Sequence, residues 1–99
     1  MQQLWIDGGW QPARGGRPAR RIADPATLDV VDEVAEAGDA DVRRACDAAA
    51  QAQKVWRRVP ALERGRHLHD AASLMRADRA ELSALLTREG GKPRIENLD

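Results

Sequence analysis

The sequence predicts an α/β chain in which short strands and a hairpin precede three helices. Three observations carry this expectation. Up to about residue 37, apolar residues alternate or come in short runs between Gly and Pro. From Gly38 onward they recur at helical spacing. Turn and cap residues stand at each predicted boundary, and no internal repeat or low-complexity tract interrupts the pattern.

In chain order, Leu4-Trp5-Ile6 is a β-type run, and Asp7-Gly8-Gly9 supplies turn chemistry. Trp10 begins a second extended piece, so residues 4–10 read as a small hairpin. Residues 12–20 form a polar Gly/Pro loop. Arg21-Ile22-Ala23 reads as extended and Asp24-Pro25-Ala26-Thr27 as a turn, because Pro25 biases Asp24 away from helix. Val30, Val31 and Val34 predict a strand over about residues 28–35. Asp39 is the expected N-cap of the first helix. Val42, Ala45, Cys46, Ala49, Gln53 and Trp56 fall on one face of it. Pro60 is expected to open the second helix, with Leu62, Gly65, Leu68, Ala72 and Met75 on its inner face. Asp78-x-x-Glu81 resembles a capping box for the third, whose apolar face is Leu82, Leu85 and Leu86. Gly90-Gly91 stops that helix and Pro93 follows. Residues 94–99 read as the start of a further, truncated helix.

Composition sets limits on stability and partners. Of the 42 apolar residues 18 are Ala, which leaves 24 side chains large enough to build a core. A 99-residue chain with three Trp, no Phe, no Tyr and a single Cys has few core residues and no internal disulfide. A segment that borrows its core from elsewhere is therefore expected, and marginal stability when alone. The 16 basic and 16 acidic side chains cancel, which argues against nucleic acid or an anionic membrane as partner. No apolar run reaches the length of a membrane span, and no leader is visible. The lone Cys fits a reducing, cytoplasmic setting.

No assembled active site is legible. Cys46 lies in the Ala-rich face of a helix and reads as a small core residue. His67 and His69 are two apart, so on a helix they point to different sides and cannot readily share a metal. The glycine pairs at 8–9, 15–16 and 90–91 match neither G-x-G-x-x-G nor a P-loop in a strand–turn–helix setting. Arg14, Arg17, Arg20 and Arg21 form a basic loop without interleaved aromatics, which reads as solvated or ion-paired.

The order of elements resembles the N-terminal part of the aldehyde dehydrogenase superfamily. Leu4-Trp5-Ile6-Asp7-Gly8-Gly9-Trp10 is similar to that family's opening hairpin. Asp24-Pro25-Ala26-Thr27 resembles its N-P-A-T turn, with Asp for Asn. Val30 to Glu36 matches the strand that follows, Asp39 to Trp56 the helix ending in Trp, and Glu63-Arg64 the E-R pair of the next helix. Leu82 to Pro93 resembles the L-x-x-L-x-T-x-E-x-G-K-P stretch. The hairpin and spacing are similar to betaine-aldehyde- and semialdehyde-dehydrogenase members.

The resemblance implies an N-terminal fragment of the aldehyde dehydrogenase fold. Residues 1–99 would be the first part of its cofactor-binding domain: strands and loops over 1–37, three helices over 38–93. The family oxidises aldehydes to carboxylic acids with NAD or NADP. A Cys nucleophile, a Glu that activates water and an oxyanion-binding Asn all come from later segments. No catalytic or cofactor-binding residue maps here, Cys46 is not the nucleophile, and no NAD or NADP is expected on these residues alone. One minor site carries over. The Ile22 backbone oxygen and Glu89 would contribute to a K+ or Na+ ion. The aldehyde would be substrate of the full-length parent only. The alternative is a non-enzymatic α/β module that associates with itself, as a homo-oligomer, or with dehydrogenase subunits.

Overall fold

The computed structural model describes residues 1–97. The order is β1 (Leu4–Ile6), β2 (Gly9–Gln11), β3 (Arg20–Ala23), β4 (Val30–Val34), α1 (Asp39–Trp56), α2 (Ala61–Ala77) and α3 (Arg79–Gly90), then a 3-10 turn over Arg94–Asn97. This is the predicted class, short strands followed by three helices. Of the truncated helix expected over 94–99, the described part is that 3-10 turn. Leu98 and Asp99 lie outside the described residues.

The chain divides into two compact units, Met1–Ile22 with Asp32–Arg58, and Ala23–Val31 with Val59–Asp99. In the first unit β1 and β2 pair antiparallel, with Leu4 opposite Gln11, Trp5 opposite Trp10 and Ile6 opposite Gly9. Asp7 (φ 54°) and Gly8 (φ 75°) both take left-handed backbone. That is the tight turn whose twist matches two paired strands. Trp5 and Trp10 meet edge to face, with ring centroids 5.0 Å apart, and α1 packs against β1. Ile6 is the one buried apolar side chain among the described residues. Gln2, which carried no sequence expectation, bridges in parallel to Val34. Its amide donates to the Glu33 carbonyl at 2.8 Å, and its carbonyl accepts the Ala35 amide at 2.8 Å.

β3 and β4 form a second two-stranded sheet. β4 is shorter than expected because the chain is still turning at Leu28, whose φ is +64°. Asp24 organises that turn. Its Oδ1 accepts the Ala26 amide at 2.8 Å, its carbonyl accepts the Leu28 amide at 2.7 Å, and its own amide donates to the Asp29 carbonyl at 2.9 Å.

The helix boundaries hold to within a residue, but several side-chain expectations do not. The N-cap of α1 is Gly38, and Asp39 is already helical. The carboxylate that serves this helix start is Asp41, which accepts the Gly38 amide at 3.1 Å. Cys46 is exposed, contrary to the core reading. β1 lies toward Asp41, Ala45 and Ala48, which turns the Cys46 side of the helix to solvent. Pro60 stands at the N-cap of α2. On α2 Gly65 and Ala72 are half-buried, whereas Leu62, Leu68 and Met75 are exposed. Asp78 occupies the N-cap of α3, but its side chain caps nothing. α2 runs almost directly into α3 there: the Asp78 amide still donates to Leu74, and its carbonyl already accepts from Leu82. No free helix start is left to cap. The covered side of α3 is Ser83, Ala84 and Thr87, not the leucines. The 3-10 turn folds back onto it. The Ser83 hydroxyl donates to the Arg94 carbonyl at 3.2 Å, and the Asn97 amide donates to Thr87 Oγ1 at 3.0 Å. Gly91 ends α3 in left-handed backbone (φ 73°), its amide returning to the Thr87 carbonyl at 2.8 Å.

Candidate functional site

The most highly organised polar constellation lies in the first unit and was not singled out from the sequence. Asp41, at the third position of α1, is completely buried. Its two carboxylate oxygens accept the Arg14 amide at 3.0 and 3.2 Å, and one also accepts the Gly38 amide. The Arg44 guanidinium, one turn on, donates to it at 2.6 Å. Arg44 also donates to the Gln11 side-chain carbonyl, and the Gln11 amide donates to the Ile6 carbonyl at 2.9 Å. The Arg44 hydrogen bond, then the Gly38 amide, then the Arg14 amide hold the Asp41 pKa down at about 2, against an opposing cost of desolvation. Reading Asp39 as the N-cap missed this. The available signal was an acid at the third helical position of α1 behind a Gly.

The basic loop is partly answered in place. Arg17 faces Asp39 at 3.9 Å, Arg20 faces Glu36 at 3.6 Å and Arg21 meets Glu33 at 3.1 Å. These pairs are solvent-exposed and each adds little stability, but they neutralise the side chains that a phosphate backbone would need.

In the second unit two segments quoted for the family resemblance meet. A Cβ placed on Gly91 would stand 2.9 Å from Pro25 Cγ. The Asp24-Pro25 turn therefore packs directly on the end of α3. A shallow groove of about 420 Å³ lies along α3, lined by Met75, Arg76, Leu82, Leu86 and Asn97 among others.

The expected cation donors fall in different units. Ile22 lies on β3, half-buried, in the first, and Glu89 lies in the last turn of α3, exposed, in the second. Among the described residues no group of three or more His, Cys, Asp or Glu comes together as a metal site. Ile22 and Glu89 each offer an oxygen atom, the donor type a hard cation takes. Cys46 sits mid-helix on α1, and His67 and His69 lie on α2. The glycine pairs stand in turns, in the 12–19 loop and at the C-terminus of α3. None leads from a strand into a helix N-terminus, the setting in which a glycine loop cradles a phosphate. Among the described residues no helix is long and apolar enough to cross a membrane.

A profile of the aldehyde dehydrogenase family matches residues 10–99. The chain belongs to the aldehyde dehydrogenase family. Solved structures agree. An NADP-dependent enzyme of E. coli superposes with a TM-score of 0.93 at 36% identity, over 98% of this chain and 20% of that one. Succinate-semialdehyde dehydrogenase from Burkholderia pseudomallei gives 0.92 at 35%, over 99% and 20%. Betaine aldehyde dehydrogenase from Staphylococcus aureus, solved in complex with NAD+, gives 0.92 at 29%, over 98% and 20%. The chain thus spans about a fifth of the length of these structures.

Proposed function

We propose that these 99 residues are the N-terminal segment of the cofactor-binding domain of an NAD(P)-dependent aldehyde dehydrogenase, and that they serve as a packing element and not as the catalytic part. The observation that carries this is the close superposition of nearly the whole chain on about a fifth of much longer dehydrogenases. The exposed leucines of α2 and α3 support it, since they suit a surface that the rest of such a fold would cover. The parent reaction is oxidation of an aldehyde to a carboxylic acid through a Cys thiohemiacetal. Splitting that oxidation into covalent steps requires a nucleophile and a base in contact, and in this reading neither part falls to the described residues. Cys46 stays outside the chemistry. Ile22, through its backbone oxygen, and Glu89 are proposed donors to a K+ or Na+ ion completed by other segments. A cytoplasmic location suits the free Cys46 thiol.

The test is a graft. Residues 1–99 replace the matching segment of the Burkholderia pseudomallei succinate-semialdehyde dehydrogenase, and turnover of succinate semialdehyde with NAD or NADP is measured. The expected result is a folded chimera that keeps activity, while the 99 residues alone turn over no aldehyde. An insoluble or inactive chimera, or Cys46-dependent turnover by the chain alone, would overturn the reading. A second reading, association with itself or with dehydrogenase subunits, is favoured by the open groove along α3. A strictly monomeric elution at all concentrations, alone and mixed with a dehydrogenase, would count against it.

A further inference from the structure

We propose that residues 12–19 are a strap latched onto the start of α1 by the Asp41 carboxylate, and that this latch, more than any apolar core, decides whether the first unit is closed. The inference stands on geometry within that unit and does not depend on the family reading.

Three observations carry it. The strap is Gly/Pro-rich and carries no apolar side chain larger than Ala or Pro with which to hold itself down. Its fixed point is the backbone amide of Arg14, bonded to a carboxylate that is wholly buried. A buried carboxylate needs its donors, and losing one leaves an acceptor that cannot reach water. Next to that bond the two backbones touch. A Cβ on Gly15 would lie 2.6 Å from the Gly38 Cα, and one on Gly38 would lie 2.7 Å from the Gly15 Cα. Glycine is required at both places because any side chain would drive the strap off the helix start.

The latch also reaches the hairpin. Arg44 joins Asp41 to Gln11, and Gln11 joins the end of β2 to the Ile6 carbonyl. One hydrogen-bonded chain therefore ties β1, β2, the strap and α1 together around Ile6. Opening the strap at Arg14 removes a donor from Asp41 and loosens the arm that holds Gln11. By contrast, the Arg17–Asp39 pair is long and exposed, so it is not the closure.

Limited trypsin digestion of the full 99-residue chain at neutral pH tests this. The bond read is Arg14–Gly15, which cannot stretch into a protease cleft while the Arg14 amide is held and Gly15 lies on Gly38. Arg76–Ala77 in α2 serves as the internal reference. Asp41→Asn and Gly38→Ala are expected to speed cleavage at Arg14–Gly15 by about 10-fold or more while leaving Arg76–Ala77 unchanged. Arg17→Gln is expected to change neither. Wild-type rates at Arg14–Gly15 in both latch variants would overturn the proposal. So would equal acceleration at both bonds, which means general unfolding and not a local strap. Amide exchange on the unaltered chain provides a variant-free readout. The Arg14 and Gly38 amides should exchange together and more slowly than that of Gly16. Exchange at Arg14 as fast as at Gly16 would also overturn it.

Discussion

Asp41 and Leu28 show how single residues set local structure in opposite ways. Asp41 gathers two backbone amides and a guanidinium, and its pKa falls from an ordinary 3.8 to about 2. Its folded value lies below its unfolded value. The stability it contributes is therefore fully present above about pH 4 and is lost as the pH falls toward 2. Asp32, held low by the Gln2 side-chain amide and the Glu33 amide, shifts in the same direction. Acid unfolding of the wild-type chain and of Asp41→Asn, followed by circular dichroism, separates the two. The variant should show a shallower loss of stability between pH 4 and 2. Identical slopes would remove Asp41 from the account. Leu28 does the reverse. It sits exposed at a φ of +64°, where a branched side chain costs about 1–2 kcal/mol. Leu28→Gly removes that strain and adds back some unfolded-chain entropy. A net gain of about 0.5–1 kcal/mol in urea unfolding is expected. A loss of stability would mean that the side chain makes a contact the geometry does not show.

At the scale of elements, what the sequence made legible is backbone, and what it hid is facing. The hairpin follows from Asp7-Gly8, because that dipeptide takes the two left-handed conformations a two-residue turn needs. The end of α3 follows from Gly91 and Pro93. The side each helix covers did not follow. Periodicity marks the stripe Val42, Ala45, Cys46 and Ala49, yet Asp41 is the buried residue of α1 because it satisfies donors that no apolar side chain could. On α3 the periodicity marks Leu82, Leu85 and Leu86, yet Ser83 is buried, because the 3-10 turn returns over it. The bridge from Gln2 to Val34 left no pattern at all, since one backbone pairing needs no particular side chain. Periodicity reports the face a helix is built to bury. Among the described residues these leucines stay exposed. Leu68, 70% exposed on α2, tests this. In the isolated chain Leu68→Gln should change unfolding free energy by less than about 0.5 kcal/mol. In the grafted dehydrogenase the same substitution should cost about 2 kcal/mol. Equal, negligible effects in both would mean that this face of α2 stays open to water.

At the scale of the whole molecule, the family is legible from six short motifs in the right order, while Ile22 and Glu89 are proposed as cation donors only through the family resemblance. The physical reason is the same for both. Turns and helix ends are local and are carried by a few residues each, whereas a coordination shell or an active site is built from distant segments. Among the described residues one apolar side chain, Ile6, is buried, and it must stand against about 1–2 kcal/mol of backbone entropy for every ordered residue. The polar latch around Asp41 and the paired surface charges do not close that gap. Thermal unfolding of the isolated 99 residues, by far-ultraviolet circular dichroism, is the most direct test of a segment that borrows its core. A broad, weakly cooperative transition only a little above room temperature is expected. A sharp, cooperative transition well above room temperature would contradict it, because the chain would then carry a sufficient core of its own.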